Sequence, residues 1–312
     1  MQKFHNILFV SEGLTDDSAA LSQALFIAHS NNGKLTALLV CPEFPNALAR
    51  YRAKYEASLV HGLNASIRAA CEKAQVDEAG VSVQINVERG DTPSERIIRH
   101  ALKHAHDLVL KEAECKDGGQ GFRALDMELL RKCPCPVWLG RPIDRPRDQI
   151  EVAVAVDPRS MEPEGRDLSV RLLQLARSLA DTCSGELHVI SCWDYPLEDY
   201  LRGNQWIRME ETELRQAVVD AQKQHRAALN KLIGKSGIGG SLQVHHVRGA
   251  PDQMIPQLVA SKNIDILVMG TVARTGIAGF IIGNTAENVV QKLGCSLLAL
   301  KPNGFVSPVK AY

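Results

Sequence analysis

The sequence predicts an α/β protein made of two tandem copies of one unit, each with a parallel sheet. Three observations predict it. The order strand, helix, strand, helix, strand, helix, strand, helix, strand runs twice along the chain, and such alternation means parallel strands with helical crossovers. The strands are near-continuous apolar runs, such as AVAVAV, DILVMG and SLLAL, as expected of strands covered on both faces. The length of 312 residues exceeds one small core and suits two domains of about 150 residues each.

The elements correspond one by one. NILFVSEG (6–13) answers EVAVAVDP (151–158), each a short apolar strand that ends in an acid. Helix-like segments follow at 16–31 and 166–183. GKLTALLVCPEF (33–44) and GELHVISCWDYP (185–196) are strands entered through glycine. Long charged helices follow near 46–76 and 205–233, amphipathic at helical spacing, with one face for the sheet and one for water. VSVQINVERGDTPSERII (81–98) answers LQVHHVRGAPDQMI (242–255): a strand, Arg-Gly, then Pro opening a helix. Proline suits a first helical turn, where its missing N–H costs nothing. HDLVLKEA (106–113) answers IDILVMGT (264–271), and CPCPVWLGRP (133–142) answers LGCSLLALKP (293–302). The linker RPIDRPRDQ (141–149) lacks apolar periodicity, so the domains divide as 1–145 and 146–312.

Composition narrows the function. Lys+Arg and Asp+Glu balance at 36 each, which argues against a protein whose main partner is nucleic acid, because counterion displacement needs a basic stripe. No run approaches the ~18 apolar residues of a membrane helix. The N-terminus reads as a first strand rather than a signal peptide. Eight dispersed cysteines, several in apolar strands, fit a reduced cytoplasm better than a disulfide scaffold.

The stretch with chemistry in it is GTVARTGIAGFIIGNTAE (270–287). In an open α/β sheet, ligands sit beyond the carboxyl ends of the strands, where strand order reverses. Val156–Asp157 and Met269–Gly270 close two such strands. Gly270, Gly276, Gly279 and Gly283 let backbone N–H groups approach an anion. The helix entered near Asn284–Glu287 adds donors and a dipole, Asn284 and Thr285 are suitable caps, and Arg274 offers a charge-assisted contact to phosphate. The bland alternative is a loop that only makes turns and close packing.

The duplicated unit, the Asp that closes the first strand of the second copy, and GTVARTGIAGFIIGNTAENVV together resemble the universal stress protein family in its tandem form. The resemblance covers nearly the whole chain. In that family the nucleotide loop reads Gly, two residues, Gly, nine residues, Gly, then Ser or Thr. Gly270 falls on the first position, Ala273 on the second, Gly283 on the third and Asn284 on the hydroxyl position, with Thr285 one step later. The loop length is kept and two identities differ. Asp157 falls on the acid that meets adenine. In the first domain the acid is Glu12, Glu112 replaces the first glycine, Arg123 lies near the third, and Glu114 and Asp117 would repel phosphate.

The resemblance implies two Rossmann-like five-stranded sheets flanked by helices. It also implies an intrachain pseudo-dimer in which CPVWLGR (135–141) and CSLLALK (295–301) pair, with further homodimerisation open. The implied function is cytoplasmic stress response by ligand sensing, with ATP or AMP and Mg in the second domain, no specific nucleic acid and no membrane span. Two rivals stand beside it. One is slow ATP hydrolysis. The other is binding of a lipid or other hydrophobic small molecule between the domains, motivated by Phe280, Ile281 and Ile282 and by Tyr195, Tyr200 and Trp206. No nucleophile and base set stands out, so no catalytic or metal residue is assigned.

Other groups read as structural. Cys133-Pro134-Cys135 is a weak metal or redox spacing, and core packing is favoured because Cys135 matches Cys295. Cys115 falls in the altered loop, where a reactive thiol is allowed. His100 and His104, with His106 beyond, have zinc-like spacing, but a solvated helix face is favoured. His245 and His246 alternate in a strand, so one should face the core and the other water.

Overall fold

The structure is a computed structural model, and it describes residues 4–13, 17–74, 81–114, 119–160, 162–202, 206, 209–271 and 282–311. The chain packs as two compact units, Met1–Arg145 with Thr271–Tyr312, and Pro146–Gly270. Among the described residues no helix is long and apolar enough to cross a membrane.

The first unit begins with β1 (Asn6–Ser11), α1 (Ser18–Ser30) and β2 (Lys34–Cys41). A 3-10 turn (Asn46–Tyr51) leads into α2 (Arg52–Ala74), followed by β3 (Val83–Arg89) and α3 (Pro93–Lys103). Next come β4 (Leu108–Glu112), α4 (Ala124–Lys132) and β5 (Val137–Gly140). The second unit holds β6 (Val152–Ala155), α5 (Pro163–Asp181), β7 (Glu186–Trp193) and α6 (Leu197–Arg202). It continues with α7 (Glu211–Ser236), β8 (Ser241–Arg248), α8 (Pro251–Ser261) and β9 (Ile266–Gly270). The chain then returns to the first unit with α9 (Asn284–Val290) and β10 (Ser296–Leu300). The duplication is thus a pair of Rossmann-like α/β repeats in tandem.

Strand order is β3-β2-β1-β4-β5-β10 in the first unit and β9-β6-β7-β8 in the second. All pairs are parallel except β5 with β10, which run antiparallel with Leu297 opposite Leu139 and Ala299 opposite Val137. These last strands of the two repeats are buried throughout and apolar apart from Ser296, and pairing removes what would otherwise be a sticky edge. In each repeat the first strand is flanked by the second on one side and the fourth on the other. The chain direction therefore switches at the ends of β1 and β4, and again at the ends of β6 and β9. Crevices open at such points.

The helices form for the reason their periodicity suggests. On α2, Leu59, Leu63, Ile67, Ala70 and Cys71 are buried at three- and four-residue spacing, which is one apolar face of a helix. The Arg-Gly turns repeat in backbone detail. Gly90 (φ +147°) and Gly249 (φ +138°) adopt a conformation open to glycine alone. Their N–H groups donate to the Cys41 and Trp193 carbonyls at 3.1 and 2.9 Å, and Pro93 and Pro251 then start α3 and α8.

Three expectations need correction. α7 begins at Glu211 rather than near 205, after a separate short helix, α6, within the 194–208 segment. The solvated face expected for His100 and His104 is only half so. His104 is exposed, but His100 and His106 are buried, because α3 lies on the sheet with the His100 side inward. His100 Nδ1 lies 3.4 Å from Glu88 Oε1, and His106 Nδ1 lies 3.2 Å from the Asn6 carbonyl. His245 and His246 do not divide into one inward and one solvent-facing residue, for both are half-buried. His245 Nε2 meets His188 Nδ1 on one side of β8, and His246 Nε2 meets His225 Nδ1 of α7 on the other, both at 2.9 Å. Each ring has a partner on its own face, so alternation does not leave one wholly in water.

Candidate functional site

The second repeat places Val156, Asp157 and Gly270 at a switch point. β6 and β9 are adjacent, with Ala155 opposite Met269, so Asp157 and Gly270 leave neighbouring strands at the same end. Val156 is buried; its N–H donates to the Ile190 carbonyl (3.0 Å) and its carbonyl accepts from Ser191 Oγ (3.0 Å). The chain is thereby clamped to β7 one residue before Asp157. The Asp157 side chain is 45% exposed. Its Oδ1 accepts the Arg159 backbone N–H at 2.9 Å, with Arg159 Nε 3.6 Å away. The carboxylate is held at the mouth of the crevice and still reaches solvent.

Gly270 has a packing role as well. A Cβ there would stand 2.9 Å from Leu168 Cδ2 of α5. We expect Gly270→Val to destabilise the chain by about 1–3 kcal/mol through overpacking. Urea unfolding checks this, and Leu168→Ala in the same chain should recover part of the loss.

Gly283, Asn284 and Thr285 belong to the first unit. Gly283, not Asn284 or Thr285, is the N-cap of α9; its N–H donates to the Thr271 carbonyl at 3.3 Å. Asn284 and Thr285 are the first two helical residues and are exposed, because Ala286, Val289 and Val290 take the inward positions of this short helix. Ala273, Arg274, Gly276, Gly279, Phe280 and Ile281 lie outside the described residues, as does Cys115 in the first repeat.

Beside Asp157, the structure gathers a group that periodicity did not single out. The Trp193 ring stacks on His246 (5.8 Å between centroids, 12° between planes), with the Arg248 guanidinium 5.4 Å from the Trp193 centroid. Arg248 pairs with Glu198 and lies 3.6 Å from Asp194. Burial pushes the Cys192 thiol up to about 11, with the Asp157 carboxylate adding to it, so it stays protonated at neutral pH. Burial also pulls His225 down to about 4, assisted by Arg159 and His246. The sequence signal was a Trp and an Arg at the same level of adjacent strands, Trp193 opposite Arg248, visible only once register is known.

The equivalent end of the first repeat is filled with its own charges. Ser11 Oγ donates to Asp17, and the Ala20 N–H donates to Glu112 Oε2 at 3.1 Å. Lys111 is buried and contacts Asp126 Oδ1 at 2.8 Å and Glu114 Oε1 at 2.9 Å. Burial opposes the Lys111 charge, but Asp126 and Glu114 outweigh it and hold the ammonium above its ordinary value. Burial, then Glu114, pushes the Glu12 carboxyl up. Among the described loop residues, Gly121 N–H donates to the Leu293 carbonyl (2.9 Å) and Arg123 N–H to the Glu114 carbonyl (3.2 Å). The Arg141 guanidinium binds the Gly119 and Gly121 carbonyls at 2.7 and 2.5 Å.

Cys133 and Cys135 bring their Sγ atoms to 3.4 Å, with Cys133 wholly buried. Buried Lys301 is held down at about 8, chiefly by burial. His100, His104 and His106 form a ring cluster rather than a set of converging ligands.

The family comparison agrees with this architecture at both repeats. The model of the Universal stress protein family matches residues 3–141 and again 151–301. The chain belongs to the universal stress protein family. Like this tandem universal stress protein, Universal stress protein E of Photorhabdus laumondii spans both repeats; it is 32% identical over 320 residues, covering 100% of this chain and 99% of that relative. Universal stress protein E of Escherichia coli K12 is 32% identical over 317 residues, covering 99% and 98%. Among solved structures, a putative universal stress protein from Pseudomonas aeruginosa is 25% identical, covers 97% of this chain and 95% of its own, and superposes with a TM-score of 0.72.

Proposed function

We propose that this universal stress protein is a cytoplasmic, non-enzymatic ligand sensor whose second domain, 146–312, binds an adenine nucleotide, ATP or AMP. The observation that supports this most is the contrast between the two switch points. In the first repeat the strand ends carry carboxylates with partners of their own, Glu112 with the Ala20 N–H and Asp126 and Glu114 with Lys111. In the second, Asp157 faces solvent beside Gly270, with the strand clamped behind it at Val156.

In this reading Asp157 accepts a hydrogen bond from the adenine amino group. Gly270, Ala273, Arg274, Gly276, Gly283, Asn284 and Thr285 form the phosphate loop, and backbone N–H groups and the Arg274 charge meet the phosphates. Mg²⁺ would neutralise the remaining phosphate charge and be held mainly by phosphate oxygens. The first domain, 1–145, serves as scaffold, and β5 and β10 supply the pseudo-dimer contact.

Titration of MgATP into the full chain by calorimetry tests the reading. We expect micromolar binding, weakened about tenfold or more in Asp157→Ala, the loss expected for one hydrogen bond to a charged group. Gly283→Leu should weaken it as well. Absence of binding at millimolar MgATP would overturn it. Phosphate release above background in the same samples would favour slow hydrolysis instead. A lipid-binding reading draws on the exposed Leu197, Tyr200 and Trp206 of the 194–208 segment, 53, 62 and 95% accessible, and co-purified lipid in a native mass spectrum would support it.

A further inference from the structure

We propose that Glu151, Glu186 and His188, at the opening end of β6 and β7 in the second unit, form a binding site for a divalent first-row transition-metal ion. The site lies at the end of the strands opposite Asp157 and does not depend on the nucleotide reading.

Strand register builds it. Glu186 and His188 are two residues apart on β7 and so share one face of the sheet. Glu151 immediately precedes β6, whose Val152 and Ala153 pair with Leu187 and His188. One ligand atom from each of the three residues lies within 4.8 Å of the others. His188 is only 4% exposed, and its Nε2 already stands 3.2 Å from Glu151 Oε2.

The surrounding groups orient these three as ligand supports do. His188 Nδ1 meets His245 Nε2 at 2.9 Å, with the rings nearly parallel at 3°. With the proton on His188 Nδ1, Nε2 is left as a lone-pair donor toward the carboxylates. Glu186 Oε1 accepts from Ser241 Oγ at 3.1 Å and Oε2 from Gln243 Nε2 at 2.9 Å. Both donors are neutral, so they aim the carboxylate without cancelling its charge. Partners of this kind fix ligand orientation in metal sites.

The donor set selects the ion. One imidazole and two carboxylates suit zinc, manganese or iron(II), whereas soft copper(I) wants sulfur, and calcium and magnesium want oxygen alone. Two carboxylates against a neutral imidazole balance a double positive charge. Bonds of about 2.0–2.2 Å put ligand atoms roughly 3.3–3.5 Å apart. His188 and Glu151, at 3.2 Å, stand within roughly 0.1 Å of that spacing, and Glu186, half-buried at the start of β7, has a ligand atom within 4.8 Å of both. At least one coordination position is left for water or a further ligand.

The test uses the full chain stripped with a chelator and dialysed, with Zn²⁺ and Mg²⁺ as separate probes in calorimetry and thermal unfolding. One Zn²⁺ per chain should bind at micromolar affinity or tighter, raise Tm, and displace Mg²⁺ completely. Glu186→Gln, which keeps the Ser241 and Gln243 contacts sterically feasible, should weaken Zn²⁺ by about a hundredfold or more. His188→Gln should abolish this binding. His245→Phe should weaken it about 10–100-fold at unchanged stoichiometry, the range for loss of a group that orients a ligand. His104→Gln should leave it unchanged. Zn²⁺ binding that survives both Glu186→Gln and His188→Gln, absence of binding below about a millimolar, or equal affinity for Mg²⁺ would each overturn the proposal. Glu186→Gln stands at the partly accessible edge, so its folding, followed by circular dichroism, separates a lost ligand from a lost fold.

Discussion

Lys111→Met should lower the stability of the chain by about 3–5 kcal/mol, the cost of breaking a buried ion pair from one side. Asp126 is wholly buried, and its carboxylate has two partners, Lys111 Nζ at 2.8 Å and the Glu114 backbone N–H at 2.8 Å. Removing the ammonium leaves a buried charge with one neutral donor. The double variant Lys111→Met with Asp126→Asn removes both charges and keeps an acceptor for the Glu114 N–H. It should return to within about 1–2 kcal/mol of the parent, since buried pairs are often nearly neutral against uncharged replacements. Urea unfolding of the three proteins at neutral pH checks both statements. Equal stability in Lys111→Met would show that Asp126 does not carry a charge that needs compensation.

Mild acid should destabilise the chain, and burial lowers five histidines that contribute to it, His106 and His225 by large shifts, with His100, His245 and His246 lowered as well. His106 is pulled down to about 4 by burial, with His100 and His104 adding to the effect against the Asn6 carbonyl. His225 is pulled down to about 4 by burial, then Arg159 and His246. The ordinary value is 6.5. Between about 6.5 and 4 the unfolded chain binds protons that the folded chain does not, so stability falls as pH falls through this window. At pH 4.5 the loss is on the order of 1–3 kcal/mol per histidine, against a total stability on the order of 5–15 kcal/mol. Denaturant midpoints at pH 7.5 and 4.5 measure it. His106→Gln should make the pH dependence shallower, with a fixed cost at pH 7.5. A flat profile from 7.5 to 4.5 would contradict the burial of both rings.

Much of the architecture was legible because it is written in local periodicity. The apolar runs at 152–156 and 266–269 are strands, and the Arg-Gly turns before Pro93 and Pro251 are the same turn twice, because only glycine reaches their φ. The last strands, 137–140 and 296–300, pair as expected of two apolar edges. Other features were not legible locally. The solvated reading held for His104 but failed for His100, because α3 turns the His100 side onto the sheet, a matter of orientation rather than spacing. The one-in, one-out reading of His245 and His246 failed because each ring finds a partner, His188 on one face and His225 of α7 on the other, and both are half-buried. The cap of α9 falls on Gly283, one residue before the better capping side chains, since burial of Ala286, Val289 and Val290 sets the helix phase.

By itself, the sequence determined that this chain is a duplicated α/β protein of the universal stress type, and where the Arg-Gly turns before Pro93 and Pro251 fall. Repetition, periodicity and turn chemistry are properties of neighbouring residues, and they survive without knowledge of the fold. Only the tertiary structure decided which side chains meet. Lys111 finds Asp126, Trp193 finds Arg248 and His246, and His188 gathers Glu151, Glu186 and His245 because parallel pairing sets distant strands side by side in one register. That register follows from packing both faces of the sheet at once, a constraint no short stretch of sequence contains.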